Sequence, residues 1–331
     1  MKKLLAVILC GLFLLSCCAY AQEEGTVIHV ASLKGPTTMG MVKLIHDNES
    51  GESLNEYDFA IEGAADAIAP ALLKQGALDI ALVPCNVASV WYNNSKGAVQ
   101  VAAINTLGVL YVLEAGDTIQ SVEDLKGKTI YSTGQGATPE YALNYVLKGN
   151  GLDPETDVNV EFLTAATEVA NAMLNDKATV AVLPQPYVTG VLAQNSDVRV
   201  ALSLSDEWDK IDETSAMITG VVLVRREFAE ENPEAVAAFL EEYRASTEYV
   251  NENPAEAAVW IAELEIVAKA PIAEKAIPAC NIVCITGEEM QEKIGGYLTA
   301  LYEQNPAAVG GTLPDEAFYY IVKADEAGTA E

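Results

Sequence analysis

Four short turns carry the polar chemistry of this sequence. They are Lys34-Gly35-Pro36-Thr37-Thr38, Pro84-Cys85-Asn86, Thr133-Gly134-Gln135-Gly136-Ala137-Thr138-Pro139 and Pro184-Gln185-Pro186-Tyr187. Glycine lets backbone approach a ligand closely, and hydroxyl and amide side chains supply directed hydrogen bonds. Each turn follows an apolar, strand-like run and precedes a helix-like one. That position presents free N–H groups and a partial positive charge at a helix start. Taken singly, each turn is ordinary capping chemistry. Four at the same topological position make one candidate ligand site. Its expected contacts are Lys34, Thr37, Thr38, Cys85, Asn86, Thr133, Gln135, Gly136, Thr138, Gln185 and Tyr187.

Catalytic patterns are missing. There is no G-x-S-x-G elbow and no G-x-x-x-x-G-K-[ST] phosphate loop. The turn at Gly134 and Gly136 lacks the third glycine of a dinucleotide fingerprint. Cys85 has no activating partner, because neither His29 nor His46 falls on a ligand-side turn. Carboxylates on helix-like stretches read as solvated faces, and Glu140 suits the first turn of a helix. The reading is therefore a binding protein and not an enzyme, with no catalytic residue, cofactor or metal. Cys280 and Cys284 are either a disulfide or two buried thiols, and they lack the paired ligands of a metal site. His29, inside Val27-Ile28-His29-Val30, reads as a satisfied core histidine. Trp91 and Tyr92 read as lobe packing ahead of stacking on an aromatic ligand.

An alternation of strands and helices positions these turns. Strands are predicted over 26–32, 57–61, 78–83, 99–104 and 107–114, and helices over 39–46, 64–74 and from 87. A second unit starts near 117. It has a short helix over 121–125, strands over 129–132, 157–162, 179–183, 198–202 and 218–224, and helices over 138–147, 165–174 and 187–194. A repeated β-α-β pattern with near-continuous apolar strands calls for α/β, doubly wound parallel sheets. Its recurrence predicts two similar lobes. Residues 227–303 read mostly as helices, started by Asn232-Pro233 and Asn253-Pro254.

With 50% hydrophobic and 20% charged residues over 331 positions, the chain is not disordered. Nineteen basic residues against 48 acidic ones give a net charge of −29. Such a surface repels phosphate backbones and anionic membranes, so no nucleic-acid partner is expected. Met1-Lys2-Lys3 and the apolar run from Leu4 to Leu15 form a signal peptide over 1–21. Leu14-Leu15-Ser16-Cys17 reads as a lipobox that lipidates Cys17, and Ala19-Tyr20-Ala21 is an alternative site of plain secretion. No later stretch reaches the ~20 apolar residues of a membrane span. The chain is thus expected to be exported, at the cell surface or in the periplasm, and tethered by at most a lipid.

Three stretches carry a family resemblance. The run Ala71 to Leu82 (ALLKQGALDIAL), the run Ser121 to Ile130 (SVEDLKGKTI) and the run Thr133 to Leu143 (TGQGATPEYAL) fall in order along the chain. Together with the leader they resemble the substrate-binding components of ABC importers. Within these the sequence is similar to the NMT1/THI5-like group, which binds aliphatic sulfonates, taurine, nitrate and thiamine-pyrimidine precursors. The resemblance implies a type II periplasmic-binding-protein fold with lobe 1 at 25–115 plus 225–331 and lobe 2 at 117–222. Two chain crossings, near Gly116 and Arg225, would form the hinge. It also implies an ABC permease partner, a monomer, and closure on a sulfonate or a heteroaromatic such as a pyrimidine. An exported sensor lobe and a biosynthetic enzyme of related fold are the alternatives.

Overall fold

A computed structural model describes residues 27–321. The leader, with Cys17 and residue 26 of the first predicted strand, lies outside the described residues. The chain begins β1 (Ile28–Leu33), α1 (Pro36–Met39), α2 (Val42–Ser50), β2 (Tyr57–Glu62), α3 (Ala65–Pro70), β3 (Ile80–Pro84), α4 (Cys85–Ser95) and β4 (Val99–Leu107). It continues β5 (Leu110–Ala115), β6 (Thr129–Thr133), α5 (Thr138–Gly149), β7 (Asn159–Leu163), α6 (Ala166–Leu174), β8 (Val180–Pro184), α7 (Tyr187–Leu192), β9 (Val198–Ser203) and α8 (Leu204–Asp209). It ends β10 (Ile218–Arg225), α9 (Arg226–Glu231), α10 (Pro233–Glu252), α11 (Pro254–Glu263), α12 (Ala270–Ala276), β11 (Ile282–Ile285) and α13 (Gly287–Gln304).

Two sheets result, ordered β11-β4-β10-β3-β1-β2 and β7-β6-β8-β5-β9. The strands that deliver the turns are parallel: β1 to β2 and β3, and β6 to β7 and β8. Central strands such as Ile80 to Val83 are buried throughout, which explains their unbroken apolar runs. One apolar cluster joins both sheets on one side. It contains Val83 and Val101 from the first sheet, Ile130 and Val182 from the second, and Leu143 and Leu298 from α5 and α13. Among the described residues no helix is long and apolar enough to cross a membrane.

The sheets are mixed rather than purely parallel, and the lobe boundaries shift accordingly. The sequence reading placed the strand over 107–114 with the first lobe. In fact β5 hydrogen-bonds antiparallel to β8 and β9, in the second sheet. The crossing therefore lies at Gly108-Val109 and not near Gly116. Likewise β10 pairs antiparallel with β3 and β4, so the return crossing lies before Ile218 and not near Arg225. An apolar run reports burial, but it does not report which sheet supplies its hydrogen-bond partners. The short strand β11 also went unseen within a stretch read as helical.

One further expectation changes and one open alternative closes. His29 is no core histidine, because its side chain is 44% exposed and its Nδ1 lies 3.2 Å from Asp58 on the edge strand β2. Cys280 and Cys284 are both free thiols. Burial raises their pKa values, to about 12 and about 11 respectively.

The crossings are packed against each other. A β-carbon at Gly108 would stand 2.1 Å from Ser205 Oγ on α8 and 2.9 Å from Met217 Sδ on the returning chain. Asn281 Nδ2 donates to the Gly108 carbonyl at 2.5 Å. Gly108→Val should therefore destabilise the protein by about 2 kcal/mol, as overpacking does, read by urea unfolding.

Just beyond β5, Glu114 organises the next loop. Its side chain, only 4% exposed, accepts from the Thr118 hydroxyl and from the N–H groups of Thr118 and Ile119. Arg199 Nη2 on β9 donates to it at 2.8 Å. Burial opposes ionisation, but these donors, led by Thr118, hold Glu114 below its ordinary pKa. A depressed carboxylate contributes stability that is complete above its unfolded pKa and is lost as pH falls through the folded one. The stability gap between the wild type and Glu114→Gln should stay constant above about pH 5 and shrink as pH falls below it, measured by denaturation across pH 3–7.

Candidate functional site

Each expected contact lies between the end of a strand and the first turn of the following helix, and the first sheet sets two of the turns side by side on β1 and β3. In the first turn Gly35 has φ 122°, which favours glycine. Thr38 commits its hydroxyl to the fold, donating to the Leu33 carbonyl at 2.5 Å and accepting from Ser32 Oγ at 2.7 Å. Thr37 is nearly buried, and its carbonyl accepts from Asn105 Nδ2 at 3.1 Å. Gly220 of β10 makes this possible, because a β-carbon there would meet Asn105 Oδ1 at 2.4 Å. Lys34 is exposed, with Nζ 3.9 Å from Glu265.

In the second turn Cys85 is 1% exposed, and burial pushes its thiol well above the ordinary value. A protonated, enclosed thiol is no nucleophile. Asn86 is half-buried and its amide is not engaged by any other described residue.

The second sheet sets the other two turns side by side on β6 and β8. The side chains of Thr133 and Gln135 are likewise unengaged among the described residues. Gly136 donates its N–H to Glu140 Oε2 at 2.5 Å, so Glu140 secures the turn. Gln185 is buried, with Oε1 accepting from the Thr189 hydroxyl at 2.8 Å and its N–H donating to Val109 in the crossing at 3.0 Å. Tyr187 is 38% exposed.

Three of the turns lead directly into helix starts. The residues preceding α4, α5 and α7 are Pro84, Ala137 and Pro186, and none supplies a side-chain cap. The first N–H groups of α4 and α5 are therefore not satisfied by capping side chains, whereas in α7 the Thr189 N–H donates to Gln185 Oε1 at 3.3 Å. The first turn of α4 also carries no acid, so its positive end is not offset there. Among the described α-helices only α8 has a side-chain cap from the residue before it, Ser203, so it is the strand-end position of α4 and α5 that sets their starts apart.

Several supporting residues escaped the sequence reading. Tyr297 of α13 is fully buried beside Cys85 and hydrogen-bonded to Thr138, so it links turns of both sheets. The Tyr141 hydroxyl donates to the Gly136 carbonyl at 2.8 Å and accepts from Asn305 Nδ2 at 2.8 Å. Gln304 Nε2 donates to the Tyr141 carbonyl at 3.0 Å. Their sequence signal is only helical periodicity, which any core position shares. Trp91 and Tyr92 are buried, and Tyr92 packs edge-on against Phe318 at 5.0 Å.

A cavity of about 410 Å³ lies between α6 and α7 under residues 266–272, and Tyr187 lines it. Among the described residues no cluster of histidine, cysteine and carboxylates could hold a metal.

Tyr141→Phe would strand the Gly136 carbonyl and the Asn305 amide. It should cost about 1–2 kcal/mol of stability by urea unfolding, and should weaken binding of any ligand that touches the glycine turn.

No curated protein sequence matches the chain. Solved structures do. An ABC transporter from Parabacteroides distasonis superposes with a TM-score of 0.75 at 25% identity, covering 90% of this chain and 100% of that one. The periplasmic aliphatic sulphonate binding protein SsuA of Escherichia coli gives 0.71 at 16% identity, over 92% and 95% of the two chains. The periplasmic nitrate-binding protein NrtA of Synechocystis gives 0.58 at 11% identity, over 85% and 82%. The fold is thus that of periplasmic binding proteins. The NMT1/THI5 like family profile matches residues 59–257, more than half of the sequence, and the chain belongs to that family.

Proposed function

We propose that this protein is the extracytoplasmic solute-binding component of an ABC importer. The observation that carries the reading is the placement of the uncapped starts of α4 and α5, with the free polar side chains of Asn86, Thr133 and Gln135, at parallel strand ends of both sheets. In doubly wound sheets such ends are where ligands bind. One lobe comprises 27–107 with 218–321, and the other 110–209. The passages at 108–109 and 210–217 form the hinge. Ligand bridging Asn86 and Thr37 on one lobe and Thr133, Gln135 and Gln185 on the other favours the closed state, which a membrane permease reads. Export through the leader, a lipid on Cys17 and a monomeric chain complete the proposal.

Lys34 is the only basic side chain in the four turns. A weakly charged organic molecule, such as a heteroaromatic, therefore suits the site better than a strong anion. The test is thermal unfolding of the processed chain against sulfonates, nitrate, thiamine precursors, flavins, purines and amino acids. A ligand at about 100 times its Kd adds roughly 2.7 kcal/mol, moving the midpoint by about 4 °C. One chemically coherent set of hits, recovered unchanged and weakened by Thr133→Val, supports the reading. Turnover of the hit, or no hit with a protein shown empty by native mass spectrometry, overturns it.

A further inference from the structure

We propose that the groove between α6 and α7, roofed by 266–272, is a subsite for a neutral, largely apolar ligand body such as an uncharged aromatic ring system. This rests on the solute-binding reading and deepens it. None of the residues lining the groove carries a charge, in a chain of net charge −29. Ala170 and Leu174 of α6, Tyr187 and Val191 of α7, and Ile266 and Ile272 of the roof supply its apolar walls. Thr167, Asn171 and Gln194 are lining side chains that would orient an occupant, and because Gln194 Nε2 already donates to the Gly190 carbonyl at 2.8 Å, its Oε1 is left to accept from that occupant. A volume of about 410 Å³ lies in the range of small-molecule sites.

Placement makes the groove more than a surface feature. It continues from Pro186 and Tyr187, at the end of β8. Its walls come from the second sheet's helices. Its roof packs with Met39, Val42 and Val250 of the first lobe. An occupant therefore touches both lobes. On the opposite side, the lobes already share one apolar cluster and are hydrogen-bonded through α13.

Gly190 supplies an independent sign. It sits inside α7, where glycine is about 1 kcal/mol worse than alanine. A β-carbon there would meet nothing within 4 Å. Packing does not require this glycine; its effect is to leave the groove open.

The test uses two fluorescent probes on the processed protein: N-phenyl-1-naphthylamine, which is uncharged, and its sulfonated counterpart 8-anilinonaphthalene-1-sulfonate. Titrations run in about 0.5 M salt, where long-range repulsion from the acidic chain is screened. The uncharged probe should bind at one site at least tenfold more tightly than the sulfonate. Gly190→Trp should weaken it at least tenfold with the melting temperature unchanged, and Val259→Thr, at an exposed position outside the groove, should leave it unaltered. If Gly190→Trp misfolds, Ile272→Asp makes the same test by placing charge in the groove. Equal affinity for the two probes, or binding unmoved by the groove variants, overturns the inference. So does a transported ligand whose affinity the groove variants leave intact. An empty ligand panel combined with the expected probe behaviour would instead overturn the solute-binding reading and leave the groove as a site for neutral aromatics.

Discussion

Each half of this molecule depends on one antiparallel strand that chain order assigns to the other half. β10 lies between β3 and β4 of the first sheet, and β5 lies between β8 and β9 of the second. A strand removed from the middle of a sheet leaves two rows of unpaired N–H and C=O groups, a cost no isolated half could bear. The exchange ties the sheets together at two adjacent passages and forces Gly108, Ser205 and Met217 into contact. It also leaves the C-terminal ends of β1, β3, β6 and β8 free to carry turns.

Those turns are braced by hydrogen bonds from residues behind them. Ser32, Asn105, Glu140 and Tyr141 occupy the turns' own backbone and hydroxyl groups, leaving Asn86, Thr133 and Gln135 unengaged. Preorganisation of this kind lowers the ordering cost of binding. The arrangement is also asymmetric. Around α13 the lobes share a continuous apolar core, reinforced by Trp208 stacked on Tyr145 at 3.8 Å and near Tyr297 at 5.7 Å. Around α7 they meet across an open groove.

The strong negative charge and the site chemistry occupy different length scales. Exposed carboxylates act through solvent and are screened within about 8–10 Å at physiological salt. N–H groups at a helix start act at contact distance, where few charges intervene. An acidic protein can therefore hold a polar or neutral ligand without a basic cleft. The same separation confines charge pairs to framework roles. Arg225 holds Asp79, which in turn accepts the His29 N–H, and so fastens β10 against β3 and β1.

Much of this was readable from residue order. Strand and helix periods, the four turns and the stretches around Asp79, Gly127 and Gly134 are local patterns, set by φ/ψ preference and by burial of one face or both. Thr37, Asn86, Thr133 and Gln185 were placed at strand ends on that basis. Their availability was not legible: Thr38 and Cys85 share the same local chemistry, yet one is consumed by its own turn and the other is enclosed. Nor could β5 be assigned to its sheet, His29 to an edge, or Tyr141 and Tyr297 to the support of the turns. The roof at 266–272 meets α7 across about eighty residues of sequence. Local propensity comes from neighbours along the chain, whereas hydrogen-bond partners, solvent exposure and cavities arise between distant segments, and only their packing decides them.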